Sequence, residues 1–319
     1  MAEPQVTGLR GVTLGVRDLD ESLDFYTSSW GLTEVARMGP SAWLRATGTE
    51  HHALALCQST QPGLLAVRLA APDKASVDGL YAKALAFGAD VIDAPDMLDT
   101  LAGGGYGFSF RTPDGIIQQV SSGVIEHGTR IDDRKRPQKF SHVVLRAENY
   151  PQLRAFWTDL LGFRLSDETD GIHFLRCSAD HHSVALAKAE GPGLHHMAFE
   201  LPDLDALMYA SGSMRARNHT LEWGVGRHSG PGNNVFSFFV EPNGFAVEYT
   251  TDMEQVDDAT YPKRSKEWWR ENRPNGARDA WQMAPKRSER LVKARLGLLT
   301  QEMMASDRGC AAALSKALA

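Results

Sequence analysis

The stretch GVTLGVRDLDESLDFYTSSWGLTEV, at residues 11–35, decides the fold because a related stretch, HVVLRAENYPQLRAFWTDLLGFRL, recurs at residues 142–165. Three further pairs of similar segments follow in the same order and at nearly the same spacing. Chance similarity would not keep order and spacing over four blocks, so the chain contains one structural unit twice. The further pairs are WLRATGTEHHALAL (43–56) with FLRCSADHHSVAL (174–186), GLLAVRLAAPD (63–73) with GLHHMAFELPD (193–203), and FSFRTPDGIIQQV (108–120) with FSFFVEPNGFAVEY (236–249).

Each copy has the pattern of a strand, a helix and then several strands. The opening run alternates β-branched residues with leucine, as strands do. A helix should follow, with Asp18 or Asp20 as its N-cap in the first copy. In the second copy Asn149 is the expected N-cap, with Pro151 in the first turn. We therefore predict an α+β fold of tandem βαβββ modules.

The last element of each copy should be a β-hairpin. Pro113-Asp114-Gly115 in the first copy and Pro242-Asn243-Gly244 in the second lie between apolar runs, and such sequences are strong turn signals. A three-residue loop centred on Asn243 would pair Phe238 with Glu248. Directly paired residues share a face of the sheet, so both side chains should point the same way.

Composition shifts divide the chain into three parts. Residues 128–138 form a polar, charged run that is typical of a linker. A tail follows the second copy, with a helical stretch predicted at 288–305. Its tryptophans, Trp268, Trp269 and Trp281, are costly to expose, so the tail should pack on the core or on a partner subunit. The predicted parts are an N-terminal module without metal (1–127), a C-terminal metal-bearing module (139–252) and the tail (253–319).

Charge and composition exclude several classes of function. The net charge of -6 disfavours a nucleic-acid partner, which would need a basic surface. The three cysteines are far apart and in no C-x-x-C spacing, so neither a disulfide framework nor a thiolate zinc site is indicated. No run reaches the roughly 18 apolar residues of a membrane span, and no signal peptide is evident. We expect a cytoplasmic protein without a membrane partner.

The two copies differ at three positions that could bind a metal. The second copy has His142, His196 and Glu248 where the first has Gly11, Ala66 and Gln119. Two imidazoles and one carboxylate on three strands form the 2-His-1-carboxylate set, which binds ferrous iron and leaves coordination positions open. Singly, each is more often a hydrogen-bonded strand residue, but together in one copy they favour a metal site. His195 is also available, and because alternation puts it on the opposite face from His196, only one of the two should bind.

The motifs of the second copy resemble those of a known family. FSHVVL with His142, LHHMAFE with His196 and GRHSGPGNNVFSFFVEPNGFAVEY with Glu248 are similar to the type I extradiol ring-cleavage dioxygenases of the vicinal oxygen chelate superfamily. The resemblance covers about residues 7–250. It implies that the first copy is a metal-free scaffold, that His196 rather than His195 binds the metal, and that a barrel-like curved sheet surrounds the site.

The resemblance also implies a reaction and its residues. The expected activity is extradiol cleavage of a catecholic compound with dioxygen and Fe(II), with Mn(II) possible, in a homo-oligomer that serves aromatic-compound degradation. His182 matches the acid–base histidine, although His52 occupies the same place in the first copy and a surface role is the alternative. His228 matches a histidine that hydrogen-bonds the substrate. Phe238 stands where the family usually has tyrosine, so one hydroxyl is missing.

Other interpretations remain. Asn233 and Asn234 are candidates for polar contacts with the substrate, and a plain loop role is equally consistent with their sequence. The same fold also serves glyoxalase-like isomerases or lyases, which typically take metal ligands from two modules. A third alternative is a ligand-binding protein without chemistry, which the absence of the tyrosine hydroxyl at Phe238 would suit.

Overall fold

The chain forms two β-sheets, one from each copy, in a computed structural model that describes residues 5–273 and 278–302. The first sheet includes β1 (Gly8–Val16), β2 (Thr33–Met38), β3 (Ser41–Arg45), β4 (Leu54–Gln58), β5 (Gly63–Ala70), β6 (Asp90–Val91), β7 (Asp96–Met97), β8 (Tyr106–Arg111) and β9 (Ile117–Ser122). Its helices are α1 (Leu19–Asp24), which continues as one π-helical turn (Phe25–Ser29), and α2 (Lys74–Phe87).

The second sheet repeats this plan. Its strands are β10 (Lys139–Ala147), β11 (Arg164–Glu168), β12 (Ile172–Arg176), β13 (Val184–Lys188), β14 (Gly193–Glu200), β15 (Trp223–Arg227), β16 (Val235–Val240) and β17 (Ala246–Thr251). Its helices are α3 (Tyr150–Ala155), again continued by a π-helical turn (Phe156–Leu160), and α4 (Leu204–Ala216). The predicted α+β fold with a repeated unit is confirmed.

Strand order shows that each copy holds the βαβββ unit twice. The second sheet runs β11-β12-β13-β10-β14-β17-β16-β15, with β10 and β14 antiparallel at its centre. The strands β10 to β13 form one unit and β14 to β17 the other. The sheet is curved but open, because its edge strands β11 and β15 do not pair. The strands of both units therefore form one continuous curved sheet.

Helix capping follows the sequence in three of the four units. Asp18 caps α1, since its side chain accepts a hydrogen bond from Glu21 N at 3.0 Å. Asp73 and Asp203 cap α2 and α4 in the same way. Asn149 occupies the N-cap position of α3 but makes no capping hydrogen bond. Its amide donates instead to the side chain of Gln152 at 3.2 Å, so Asn149 is the N-cap residue as predicted but does not cap the helix with its side chain.

The two copies share one hydrophobic core. Buried residues from both sheets form a single cluster. At its centre the ring of Trp30 stacks on that of Tyr249 at 3.7 Å, and the Tyr249 hydroxyl donates to the Trp30 carbonyl at 2.8 Å. The predicted hairpin register is also confirmed, because Phe238 pairs directly with Glu248. The shared core therefore holds strands β16 and β17 in place.

The tail packs on the second sheet through α6 (Glu289–Arg295), and α5 (Lys266–Asn272) is joined to the β11–β12 turn by an ion pair between Arg270 and Asp170. Leu291 and Ala294 of α6 are buried against a small apolar cluster on that sheet. Trp269 is buried as expected, whereas Trp268 and Trp281 are exposed. The helix predicted at 288–305 is interrupted at Gly297, which has a φ of 74°, and then continues over 298–302. Residues 303–305 lie outside the described part of the chain.

No helix in the described ranges is both long enough and apolar enough to cross a bilayer.

Candidate metal centre

Three adjacent strands bring the predicted ligands together. His142 lies on β10, His196 on β14 and Glu248 on β17, and all three residues are buried. The Nε2 atoms of His142 and His196 are 3.4 and 3.2 Å from the Glu248 Oε2 atom. One ligand atom from each residue lies within 4.8 Å of the other two. This is the only such group of His, Cys, Asp or Glu side chains found in residues 5–273 and 278–302.

The surroundings of the carboxylate fit a bound cation. Glu248 Oε1 accepts a hydrogen bond from Asn234 Nδ2 at 3.3 Å. The Oε2 atom faces both imidazoles and has no hydrogen-bond partner among the described residues. Burial first, and the neighbouring His195 and Arg295 next, lower the pKa of His196 well below its ordinary value. A neutral imidazole offers a lone pair to a metal rather than a charge to the carboxylate. Ligand atoms at right angles around one ion lie about 3 Å apart, close to the spacing seen.

A β-bulge explains why His195 was hard to exclude. Val144 pairs with His196 and Leu145 with Leu194, so His195 is the extra residue between them. Both histidines line the same cavity, and their Nδ1 atoms are 2.7 Å apart. The expectation that strict alternation sends them to opposite faces is wrong, because a bulge breaks the two-residue period. His196 is nevertheless the one whose Nε2 meets Glu248.

The equivalent place in the first copy holds an arginine instead. Arg68 pairs with both Gly11 and Gln119, as Ala198 pairs with His142 and Glu248. The guanidinium is buried and donates to the His52 carbonyl at 3.0 Å. A Cβ atom on Gly11, whose φ is 154°, would lie 1.9 Å from the Ala53 carbonyl oxygen and 2.7 Å from the Arg68 Nη2 atom, so a histidine does not fit there. A fixed positive charge occupies the position where the second copy can hold a cation.

A cavity of about 560 Å³ opens in front of the three ligands. His182, His228 and Asn234 line it, as predicted for catalytic and substrate-binding residues. Asn234 also donates to Thr250 Oγ1 at 2.7 Å, so its amide is held between that hydroxyl and Glu248. Asn233 is not brought to the cavity. It is exposed in a turn with a φ of 45°, and its carbonyl accepts from Arg227.

His228 and Phe238 lie on either side of an aromatic cluster. The His228 ring stacks on Phe236 at 4.3 Å, and burial, followed by the charge of Arg295, lowers the pKa of His228 to about 3. The Phe238 ring meets the edge of His196 at 5.3 Å, and the guanidinium of Arg295 lies 4.2 Å above its centre. The position expected to hold tyrosine is therefore beside a metal ligand, with an arginine over it.

Sequence reasoning missed a chain of polar groups behind His182. The Nδ1 atom of His182 is 3.1 Å from Nδ1 of His181, whose Nε2 is 3.1 Å from the Asp167 carboxylate. When His181 is neutral, the carboxylate keeps its proton on Nε2, so His181 Nδ1 accepts and His182 Nδ1 donates. His182 Nε2 then carries the free lone pair. Burial, with His142 and His181 contributing, lowers the pKa of His182 well below its ordinary value.

The strand pairing of the two copies shows which residue of the first copy corresponds to Asp167. In the first copy His51 and His52 form the same Nδ1 contact at 3.0 Å. Asp167 pairs with Phe174 on β12, and the residue that pairs with the equivalent Trp43 is Ala36. A carboxylate behind the histidine pair is thus another feature that only the second copy has.

Known proteins resemble parts of this chain. Metapyrocatechase 2 from Cupriavidus necator is 34% identical over 39% of this chain and 39% of its own length. The 2,2',3-trihydroxybiphenyl dioxygenase from Sphingomonas paucimobilis is 37% identical over 34% of this chain and 39% of its own. The chain thus spans about two fifths of the length of these curated relatives.

Solved structures match more of the chain. A Mn(II)-bound glyoxalase from Novosphingobium aromaticivorans is 37% identical, with a TM-score of 0.82, and the match covers 88% of this chain and 92% of that one. Homoprotocatechuate 2,3-dioxygenase from Arthrobacter globiformis, 21% identical with a TM-score of 0.75 over 82% of this chain and 85% of that one, shares the fold. Residues 8–120 and residues 139–249 both match the same family model. Because these segments make up most of the sequence, the chain belongs to the Glyoxalase/Bleomycin resistance protein/Dioxygenase superfamily.

Proposed function

We propose that the protein opens the ring of a catecholic compound beside its two hydroxyl groups, using dioxygen and a non-haem Fe(II) ion, in the degradation of aromatic compounds. The observation that supports this most is the buried group of His142, His196 and Glu248 at a cavity of about 560 Å³. That volume is within the range of small-molecule sites. The names of the two curated relatives, a metapyrocatechase and a trihydroxybiphenyl dioxygenase, support the same reaction class.

The three ligands define what the ion contributes. Bound on one face by two neutral imidazoles and a carboxylate, Fe(II) would hold substrate and dioxygen together and pass electrons between them. The orphaned Glu248 Oε2 atom and the lowered pKa of His196 both suit a divalent cation. Mn(II) accepts the same ligands and is the second candidate for the metal. The similar Novosphingobium structure is described as Mn(II)-bound.

His182 is the residue we assign to proton transfer. Burial keeps its imidazole neutral, and its ring is 4.5 Å from that of His142, so it lies where a catechol hydroxyl would approach the metal. The hydrogen bonds from Asp167 through His181 leave Nε2 unprotonated, which makes that atom the base that takes the hydroxyl proton. The same nitrogen can return the proton to an oxygen of the product.

His228, Asn234 and Phe238 complete the proposed site. His228 lines the cavity and can hydrogen-bond a substrate oxygen. We assign Asn234 to holding the Glu248 carboxylate rather than to the substrate, because its amide already donates to two side chains. Phe238 is buried behind the cavity lining, with its ring 5.3 Å from that of His196, and it supplies no hydroxyl.

A glyoxalase-like reaction is the second candidate, favoured by the name given to the Novosphingobium structure. Such enzymes isomerise or cleave their substrate without consuming dioxygen. The first copy offers no metal ligands here, because Arg68 fills the equivalent place. That observation favours the dioxygenase.

Oxygen uptake separates the two candidates. The protein would be loaded with Fe(II) or Mn(II) without air, mixed with catechol or a substituted catechol, and then exposed to dioxygen. We expect one dioxygen consumed per catechol and a yellow ring-opened product, with no uptake after chelation. Metal-loaded protein that turns over methylglyoxal-thiol adducts, and takes up no oxygen with any catechol, would contradict the proposal.

A further inference from the structure

The cavity in front of the metal ligands is strongly cationic, although the chain as a whole carries a net charge of -6. Among the described residues that line it, Asp170 alone is acidic, and it is already in an ion pair with Arg270. The basic residues that line it are Lys188, Lys266, Arg270, Arg273, Arg278, Arg287 and Arg295. A molecule that enters the cavity therefore meets an excess of positive charge.

Arg295 is the most informative member of this set. It is 6% exposed, and its guanidinium lies over the rings of Phe238 and Trp223 at 4.2 and 5.5 Å. The Nε atom has no hydrogen-bond partner, and within the described residues no carboxylate forms an ion pair with this side chain. Stacking on aromatic rings compensates only part of the free-energy cost of burying a charge. A bound anion would compensate the rest for this buried guanidinium.

Arg287 repeats the arrangement nearer the surface. Its guanidinium lies 5.0 Å from the centre of the Trp223 ring, and in the described ranges it too lacks an ion pair. Arg273 reaches the cavity from the C-terminal end of α5, where its Nη2 atom would lie 2.5 Å from a Cβ on Gly230. Its Nε atom has no hydrogen-bond partner in the part of the chain that the structure describes. Three arginines from different parts of the tail therefore converge on one space.

Other arginines of the tail show that the lack of partners is specific to this place. Arg290, on the same helix as Arg295, forms an ion pair with Glu222 at 3.2 Å. Arg264 lies 3.9 Å from the Asp167 carboxylate, and Arg270 pairs with Asp170. Arg264 and Arg290 lie outside the cavity lining and have acidic partners, and Arg270, which lines the cavity, is paired with Asp170. Among the described residues, no carboxylate forms an ion pair with Arg273, Arg287 or Arg295, which also line the cavity. This is the pattern expected when the partner is a ligand.

We propose that Arg273, Arg287 and Arg295 bind a carboxylate carried by the catecholic substrate, so that the enzyme acts on an aromatic acid rather than on a neutral catechol. This inference rests on the proposed function, whose substrate it narrows. Arginine forks match a carboxylate with paired, charge-assisted hydrogen bonds. The apolar residues Ile172, Phe174 and Trp269, also in the cavity lining, can enclose the ring between the acid and the metal.

Matched acids and esters test the inference. Fe(II)-loaded protein without air would be titrated with 3,4-dihydroxybenzoate and 3,4-dihydroxyphenylacetate, and with the methyl ester of each. Binding would be followed by tryptophan fluorescence, since Trp223 and Trp269 line the cavity. We expect at least one acid to bind about tenfold or more tightly than its ester. Equal or tighter binding of both esters would overturn the inference.

Variants locate the effect. Arg287→Met and Arg295→Met should each reduce the preference for the acid over its ester several-fold, whereas Arg290→Met, on the same helix but paired with Glu222, should leave it unchanged. Arg287 is only half-buried, so its variant gives a result even where Arg295→Met does not fold. A preference that survives Arg287→Met and Arg273→Met together would also overturn the assignment.

Binding and turnover report on different claims. Ring opening of acid and ester alike, with equal affinities, would refute the carboxylate site and leave the dioxygenase intact. Selective binding of the acid without oxygen uptake would retain the site and refute the dioxygenase.

Discussion

The Oε2 atom of Glu248 is a buried carboxylate oxygen that faces the imidazoles of His142 and His196. In the metal-free protein this oxygen is a cost, since Oε2 has no hydrogen-bond partner. Glu248→Gln should therefore raise the free energy of unfolding without metal by about 1–3 kcal/mol and abolish stabilisation by Mn(II) or Fe(II). Thermal unfolding of variant and wild type, with chelator and with metal, measures both effects. A variant that is stabilised by metal as much as the wild type would refute the ligand assignment.

Asp167 should act through His181 on the proton transfer at His182. Asp167→Asn removes the carboxylate that fixes the histidine tautomers, so kcat should fall about tenfold or more while metal content and KM change little. Tyr261→Phe is the matched control, because it removes another hydrogen bond to the same Asp167 oxygen and leaves the hydrogen bond between His181 and Asp167 in place. Equal losses in the two variants would indicate a structural role.

Individual site residues could be predicted from the sequence because the chain contains the same unit twice. His142, His196 and Glu248 stood out because Gly11, Ala66 and Gln119 showed what the same positions hold without a metal. Asp167 was missed because its difference from Ala36 lies in a segment where the copies align poorly. The arginines of the tail have no counterpart in either copy, so only their positions in space revealed them.

Among the elements, the turn between β16 and β17 contains a buried acid with a perturbed pKa. Burial raises the pKa of Glu241 from its ordinary 4.5 to about 7, although the amide of Asn243 and backbone amides of the turn donate to it. Between about pH 4.5 and 7 the unfolded chain binds fewer protons at this group than the folded one. The contribution of Glu241 to stability is therefore full below pH 4.5 and is lost as the pH rises through 7.

Glu241→Gln isolates this effect. Relative to the variant, the wild type should lose on the order of 3 kcal/mol of unfolding free energy as the pH rises through this window. Urea unfolding of both proteins at several pH values gives the difference in unfolding free energy. The buried histidines are the same in both proteins, so their pH-dependent contributions cancel in this difference. A difference that does not depend on pH would contradict the raised pKa.

Element boundaries show what periodicity can and cannot predict. The β16–β17 register followed from the turn sequence and is confirmed at Phe238 and Glu248. The bulge at His195 was not predicted, because a bulge is set by the pairing partner and not by the strand's own sequence. The break at Gly297 had a signal, since glycine with a positive φ commonly ends a helix.

For the whole molecule, we propose the division into 1–127, 139–252 and 253–319 as units of sequence and not of stability. One hydrophobic cluster joins both copies, and Trp30 of the first stacks on Tyr249 of the second. We expect a single calorimetric unfolding transition, with equal calorimetric and van't Hoff enthalpies. Two separate transitions, or a stable isolated fragment 139–252, would show instead that the copies are independent domains.

The homo-oligomer stays a prediction that the exposed side chains of the tail support. Trp268 and Trp281 are 40% and 37% exposed, and large aromatic side chains often pack against a second subunit. Light scattering during size exclusion would give the mass in solution. A monomer with native activity would refute this prediction without affecting the metal site.

The central claim is that only the second of two similar copies holds a catalytic metal. Anomalous diffraction at the iron absorption edge, from crystals grown and loaded with Fe(II) without air, tests it most directly. The account predicts one peak per chain, within bonding distance of His142 Nε2, His196 Nε2 and a Glu248 oxygen, and none near Arg68. A peak in the first copy, or no ordered metal between these three side chains, would contradict it.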